Sequence, residues 1–238
     1  MKPMLFNTEM VRAILEGRKT VTRRVVKFMQ GKNPNWTGYV KDGLTLYNGT
    51  NEPCNMPAPY KVNDVLYVRE TFCWCPCWDC GNDTLRGCRD KTAEKFYNTD
   101  RKEWGCYGYK ASFEDDEQPF DKWKPSIHML REAARIFLKV TGVRVERLQD
   151  MSTKEDFKKE GIYDDGTYPT DRSVKRNPMA QGGWTLGAYK DRFEMIWNST
   201  IKKDQLNLYS WEANPYVWVI EFERISKEQA YELDQQQS

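Results

Sequence analysis

The stretch Gly17-Arg18-Lys19-Thr20-Val21-Thr22-Arg23-Arg24 is the most informative segment of this 238-residue chain. Before it, Asn7-Thr8-Glu9 is typical of a helix N-cap, and the apolar residues that follow recur at the spacing of one helical face. Gly17 lies where such a helix ends. After the glycine, the β-branched residues at 20–22 and 25–26 predict a strand. We therefore expect this octapeptide to form a helix-to-strand turn.

Positive charge is concentrated around the octapeptide. Between residues 11 and 32 there are seven Lys or Arg against one Glu, whereas the whole chain carries a formal net charge of only +2. A cationic patch of this kind attracts phosphates and other anions. A basic turn that is simply solvated has the same composition, so both interpretations stay open here.

The motif Gly17-x-Lys19-x-x-Thr22-x-Arg24 resembles the signature of the ASCH domain, a small β-barrel related to the PUA fold. Its threonine form is similar to that of small bacterial amidohydrolases that deacetylate acetylcytidine. Further segments resemble the family in the same order along the chain: 64–70, 159–162 and 211–222. Segment 123–129 is similar to longer ASCH proteins of phages and prophages. The resemblance implies an α+β fold, with a PUA-like barrel, flanking helices and a single domain over 1–225.

The pattern of short strands and few helices also fits an α+β domain built on a small barrel. Two segments interrupt the pattern: a cysteine-rich insertion at about 73–106 and a long loop at about 163–187. Asp42-Gly43 predicts a hairpin turn. Residues 152–155 form a capping-box pattern that opens a short helix. Residues 226–238 are polar and predict a frayed helix or a tail.

A candidate catalytic set follows from the resemblance, which implies that Lys19, Thr22 and Glu160 perform amide hydrolysis. A threonine hydroxyl becomes a nucleophile only when a base removes its proton, and lysine is such a base only when its pKa is lowered. In a regular strand Lys19 and Thr22 point to opposite faces, so they converge only if Lys19 still belongs to the turn. The alternative is that these residues only shape a binding pocket.

Five further residues are predicted to contact a ligand. The two arginines come from the cationic turn, and the tryptophan, in a glycine-rich loop, is placed to stack on a nucleobase. The histidine is the only one in the chain; the resemblance to the phage proteins places it at the pocket rim, and the alternative is a structural role. The set is Arg23, Arg24, Glu70, His128 and Trp184.

The cysteines suggest a second kind of site. Six of the seven thiols lie within 34 residues. Four thiolates around one C-x-x-C pair are able to enclose a structural zinc ion, which would supply folding energy to a segment with few apolar residues. The preferred ligands are Cys75, Cys77, Cys80 and Cys88, with Cys106 as the first substitute. The alternative is a set of free thiols in a reducing cytosol.

Composition restricts the function further. No apolar run approaches the length of a membrane span, and the N-terminal residues lack a signal-peptide pattern, so we expect a cytoplasmic protein without membrane partners. The predicted function is binding of RNA, a nucleotide or a modified nucleoside in a cationic pocket. One alternative is an amidohydrolase that removes an acyl group from a nucleobase amine. Another is a phage interaction or assembly factor with a vestigial pocket, so enzymatic activity stays open at this point.

Overall fold

The computed structural model describes residues 1–27, 39–40, 43–48, 50–54, 56–76, 94–114, 122–164 and 183–237. The strands within these ranges are β1 (Lys2–Leu5), β2 (Val21–Val25), β3 (Tyr39–Val40), β4 (Leu46–Tyr47), β5 (Val65–Arg69), β6 (Phe72–Pro76), β7 (Phe96–Asn98), β8 (Glu103–Tyr109), β9 (Phe137–Arg147) and β10 (Tyr216–Ile225). The α-helices are α1 (Thr8–Leu15), α2 (Lys154–Lys159), α3 (Leu186–Thr200), α4 (Leu206–Tyr209) and α5 (Lys227–Gln236).

The chain divides into two compact units. The first unit consists of Met1–Leu15, Val65–Leu138 and Ile225–Ser238, and the second of Glu16–Asp64 and Lys139–Arg224. Each unit is therefore assembled from segments that are distant in sequence.

In the first unit β1 runs parallel to β5, with Lys2 opposite Leu66. The described parts of the cysteine-rich insertion form a three-stranded antiparallel sheet in the order β6-β8-β7. The apolar core beneath these strands includes Val65, Phe72 and Phe137. This core also takes in Ala230 of α5, so the polar C-terminal segment is a docked helix in this structure.

In the second unit the strand order is β9-β10-β2. Strand β2 is antiparallel to β10, with Thr22 opposite Ile220 and Arg23 opposite Val219. Val21 of β2 and Val219 of β10 share a core with Phe157 of α2, Phe193 of α3 and Trp211. This core positions the octapeptide between α2 and the sheet.

Several local predictions are confirmed by this fold. The side chain of Asn7 accepts a hydrogen bond from the Met10 amide at 2.8 Å and caps α1. Strands β3 and β4 pair as the predicted hairpin, although Asp42 lies outside the described residues. The capping box of α2 uses Thr153 and Asp156, one residue later than the sequence pattern indicated.

The predicted α+β class is confirmed. The PUA-like barrel stays a prediction, because no sheet formed by the described strands closes into a barrel. Within the ranges given above, no helix combines the length and the apolar composition needed to cross a membrane.

Candidate functional site

The octapeptide forms the junction between α1 and β2. Gly17 has a φ of +74°, a left-handed conformation that glycine adopts without steric cost. Lys19 then forms an isolated antiparallel bridge with Glu160, and the Thr20 amide donates to the Lys159 carbonyl at 2.9 Å. Lys19 therefore lies before the regular strand, which begins at Val21. This backbone pairing brings the octapeptide to the C-terminal end of α2.

A buried cluster of three charged side chains lies at this junction. The Lys19 Nζ donates to Glu160 Oε2 at 2.6 Å and to the Glu160 carbonyl at 2.8 Å. The Arg23 Nη1 donates to the other carboxylate oxygen, Oε1, at 2.9 Å. The lysine also compensates the negative end of the α2 dipole, where a carboxylate alone would be unfavourable. Glu160 is thus held between two cations.

The electrostatics of the cluster follow from burial and pairing. Burial alone would raise the pKa of Glu160, but the charges of Lys19 and Arg23 outweigh it and hold that pKa below its ordinary value. Burial lowers the pKa of Lys19, and the attraction of Glu160 opposes this effect. Burial would also lower the pKa of Arg23, but two carboxylates raise it instead. Glu160 is therefore a stable carboxylate, and Lys19 is easier to deprotonate than an exposed lysine.

A chain of further ion pairs runs from Arg23 towards solvent. Arg23 donates from Nε and Nη2 to Glu146 Oε1, at 3.2 Å and 2.5 Å. Glu146 accepts from Arg144 Nε through Oε2 at 3.1 Å, and Arg144 also bonds Glu221. A Cβ at Gly142 would lie 2.9 Å from Glu221 Oε2, so the glycine leaves room for that carboxylate. We call these six side chains the ion network: Lys19, Glu160, Arg23, Glu146, Arg144 and Glu221.

Three cations and three carboxylates make up the ion network, so its formal charges cancel. Two cations of the patch expected from the local sequence, Lys19 and Arg23, are thus paired with carboxylates far along the chain. Glu146, for example, is separated from Arg23 by 123 positions.

Thr22 and Arg24 lie on the opposite face of β2 from Arg23. Side chains alternate along a strand, and Val21 and Val25 on the Arg23 side pack against the core of the second unit. The side chain of Thr22 is buried. The structure therefore brings Lys19 to Glu160 and Arg23, whereas Lys19 and Thr22 are not hydrogen-bonded to each other in the described ranges.

Arg24 contributes a cation to the Thr22 face. Burial lowers its pKa, while the phenolate form of Tyr60 and the carboxylate of Glu160 oppose that shift through their charges. Burial in turn raises the pKa of Tyr60, against the effect of Arg24. The guanidinium and the phenol thus interact electrostatically, and Tyr60 is a neighbour of the site that the sequence motif did not indicate.

Two predicted ligand residues, Glu70 and His128, belong to the first unit. Glu70 is buried and accepts two hydrogen bonds from Arg135, at 2.9 Å from Nε and 3.0 Å from Nη2. Burial raises the pKa of Glu70, and Arg135 opposes that shift. His128 is exposed at the end of a 3₁₀ turn. Glu70 therefore has a structural partner already, and His128 is accessible to solvent.

Trp184 lies in the core of the second unit. Its side chain is 5% exposed, and its ring packs edge-on against Tyr189 with centroids 5.5 Å apart. The indole Nε1 has no hydrogen-bond partner among the residues described here. The faces of this ring are thus covered by protein, and a base stacks on it only if the core opens.

Of the predicted zinc ligands, only Cys75 lies in the described ranges; Cys77, Cys80 and Cys88 lie outside them. The substitute, Cys106, lies directly opposite Cys75 in the β6–β8 pair. Cys73 is also close, with its Sγ 3.8 Å from the Sγ of Cys75. Within the described ranges, no three His, Cys, Asp or Glu side chains are arranged to hold a metal ion. The zinc site accordingly stays a prediction that depends on the three remaining thiols.

The outer half of the ion network was not predicted from the sequence. Arg144 and Glu146 occupy alternate positions of β9 and share one face, which is a weak signal of an exposed ion pair. Nothing in local spacing connects them with Arg23, because the contact depends on β9, β10 and β2 being neighbours.

We also compared the chain with protein-family models, with curated proteins and with solved structures. None of the three comparisons finds a match.

Proposed function

We propose that this chain is an ASCH-type protein with a PUA-like barrel that binds RNA, a nucleotide or a modified nucleoside beside the octapeptide. The observation that carries the proposal is the buried cluster in which Glu160 bridges Lys19 and Arg23. Lys19 and Glu160 are positions at which the motif Gly-x-Lys-x-x-Thr-x-Arg and the 159–162 segment resemble the family, whereas Arg23 occupies an unspecified position of the motif.

The energetic cost of the cluster supports a functional role. Burying charges requires removing water from each of them, and a buried ion pair is often no more stable than an apolar replacement of similar volume. Buried charges with shifted pKa values are for this reason enriched at functional sites. Because stability alone does not require charges at these positions, we attribute the cluster to what it binds.

The chemistry of the cluster suits a nucleobase or its sugar-phosphate. Each Glu160 oxygen accepts one bond from a cation, and a carboxylate oxygen retains a further lone pair for an exocyclic amine. The cations of the ion network supply partners for phosphate oxygens. Lys19 is thus a positioning group for the carboxylate as well as a charge.

Binding is tested with labelled single-stranded RNA by fluorescence anisotropy, and with cytidine and acetylcytidine by calorimetry. Lys19→Met removes one cation while retaining most of the side-chain volume, so the formal charge of the ion network changes from zero to −1. We expect it to weaken binding about tenfold or more, from the lost charge-assisted contacts. RNA binding by the wild type should also weaken as salt is added.

The matched control is Lys158→Ala, which removes an exposed lysine of α2 paired only loosely with Glu155 at 3.8 Å. This variant should bind like the wild type. Equal loss in both variants would mean that binding reflects general positive charge, and an unchanged affinity of the Lys19 variant would remove the octapeptide from the site.

A second candidate is the amidohydrolase, favoured by the lowered pKa of Lys19 and by its contact with a carboxylate. Against it, the ammonium donates to both the carboxylate and the carbonyl of Glu160, and the described hydrogen bonds of Lys19 do not include one to Thr22. Hydrolysis requires a rearrangement that brings Lys19 to the threonine hydroxyl. Binding requires the ligand to reach side chains that are only 2–5% exposed, but it requires no new bond between Lys19 and Thr22. Binding is therefore the function that we favour.

A further inference from the structure

Arg23 presents two hydrogen-bonding edges, and they are used differently. The Nη1 side donates to the buried Glu160 at 2.9 Å. The edge formed by Nε and Nη2 faces Glu146 and is the side from which the ion network continues towards solvent.

The contact between Arg23 and Glu146 is an imperfect match. Both nitrogens of the Arg23 edge donate to a single oxygen, Oε1, at 3.2 Å and 2.5 Å. The strongest arginine–carboxylate pairs instead use two oxygens for two parallel bonds. The pair of Arg135 and Glu70 in the same chain has that form, with separate oxygens at 2.9 Å and 3.0 Å. Glu146 is prevented from doing so because Arg144 holds its second oxygen at 3.1 Å.

Exposure rises along the network from the inside outwards. The side chains of Arg23 and Glu160 are 4% and 5% exposed, whereas those of Glu146 and Arg144 are 18% and 41% exposed. Glu146 is thus the outer neighbour of Arg23 and lies between it and solvent.

We infer that the Nε/Nη2 edge of Arg23, together with Arg144, is a phosphate subsite that the Glu146 carboxylate occupies in the ligand-free protein. A phosphate group has two oxygens for the two nitrogens of the Arg23 edge and a third oxygen for Arg144. The Glu146 carboxylate provides only one oxygen to each of these arginines. It also carries between one and two negative charges near neutral pH, against one for the carboxylate. Glu146 therefore competes with phosphate for the same donors.

This inference rests on the proposed function, since nucleotides and a terminal phosphate of RNA supply a phosphate monoester, which has the three free oxygens that the subsite requires. It adds that the anionic part of the ligand binds at Arg23 and Arg144, and that Glu146 sets the affinity. No covalent step is involved.

The test is calorimetry at low salt with inorganic phosphate as the probe. Glu146→Gln keeps the size of the side chain and removes the competing charge. We expect phosphate affinity to rise about tenfold or more above the wild type, because two charge-assisted bonds become available to the ligand. Adding Arg144→Ala to this variant should reverse most of the gain.

Glu221→Gln is the matched control. It removes a carboxylate of the same network that contacts Arg144 and has no hydrogen bond to Arg23 in the described ranges. Because this carboxylate competes for Arg144 and not for Arg23, its removal should raise phosphate affinity by about threefold or less, as expected for a partly exposed ion pair. Circular dichroism and the melting temperature verify that each variant is folded, and Glu146→Ser serves as a second variant if the glutamine variant does not fold.

Equal phosphate affinity of the wild type and the folded Glu146 variant would overturn the inference, as would an equal gain in Glu221→Gln. Inorganic phosphate contains neither base nor sugar, which separates the two proposals. Phosphate binding without RNA or nucleoside binding contradicts the proposed function, whereas nucleoside binding without any phosphate response in the Glu146 variant contradicts the subsite.

Discussion

Replacing Glu160 by glutamine tests whether the buried cluster is held together by its charges. Glu160 is buried and accepts from Lys19 at 2.6 Å and from Arg23 at 2.9 Å. Glutamine keeps the volume, but it leaves Lys19 without its counter-ion and turns an NH₂ group towards one of the two cationic donors. Removing one partner of a buried ion pair costs about 3–5 kcal/mol. We expect Glu160→Gln to lower the free energy of unfolding by about this amount.

Urea unfolding followed by tryptophan fluorescence measures this loss. With a slope of about 2–3 kcal/mol per M, the midpoint should fall by roughly 1–2 M. Glu155→Gln is the matched control, because Glu155 lies on the exposed face of the same helix and should cost less than about 0.5 kcal/mol. The double variant Lys19→Met with Glu160→Gln removes both charges of the pair, so it should lose less than the single variant.

The pH dependence has a defined sign. The pKa of Glu160 in the folded protein is below its ordinary value, so its contribution is present above about pH 4.3, the unfolded value. The contribution disappears as the pH falls through the folded pKa, and the stability difference between wild type and variant should shrink there. A loss under about 1 kcal/mol at pH 7 would show that the cluster is effectively solvated, and the reasoning from burial would be refuted.

Three further predictions concern the candidate nucleophile Thr22, the predicted zinc site and the carboxyl pair of Glu194 and Glu212. If Lys19 activates Thr22 as a nucleophile, the wild type should release acetate from acetylcytidine, and Thr22→Ala should abolish turnover while it retains binding. We expect instead that both proteins bind acetylcytidine without turnover. Acetate release by the wild type would contradict that expectation. If Cys75, Cys77, Cys80 and Cys88 bind zinc, elemental analysis finds about one zinc per chain, and protein prepared under reducing conditions without chelator that contains none would exclude the site. Burial, together with the hydrogen bond and charge of Glu212, raises the pKa of Glu194 to about 7. The folded state therefore keeps a proton between about pH 4.3 and 7 that the unfolded state has released, so stability falls as pH rises across that range. In melting curves, the stability of Glu194→Gln should equal that of the wild type near pH 5 and exceed it at pH 8. The gain should be less than about 1 kcal/mol, because the pair of Glu194 and Glu212 is partly solvated. The same difference in stability at both pH values would contradict the pairing.

Some elements were predictable because their determinants lie within a few residues. Asn7 caps α1 through a bond to an amide three positions later, and Thr153 and Asp156 close the capping box of α2 in the same way. The hairpin of β3 and β4 follows from its turn residues. Hydrogen bonds and periodicity over such short spans depend on neighbouring residues alone, so the sequence is sufficient to predict them.

The face on which each octapeptide side chain lies depended on where β2 begins. The alternation of a strand separates Thr22 from Arg23 once the strand starts at Val21, and Lys19 reaches Glu160 through a backbone bridge before that point. A shift of one residue would exchange the faces. The motif identifies the residues, and the pairing of the octapeptide backbone with the end of α2 and with β10 determines which side chains are in contact.

By itself, the sequence determined that a dense group of cations lies at a helix-to-strand turn, since that depends only on composition and local pattern. Only the tertiary structure decided that two of those cations, Lys19 and Arg23, are paired with distant carboxylates. Glu146 and Glu160 come from 123 and 137 positions away from Arg23, and β9 and α2 bring them into contact. It also decided that Trp184 lies in a core. Burial and ion pairing across such separations depend on the packing of whole elements, and no local spacing encodes that packing.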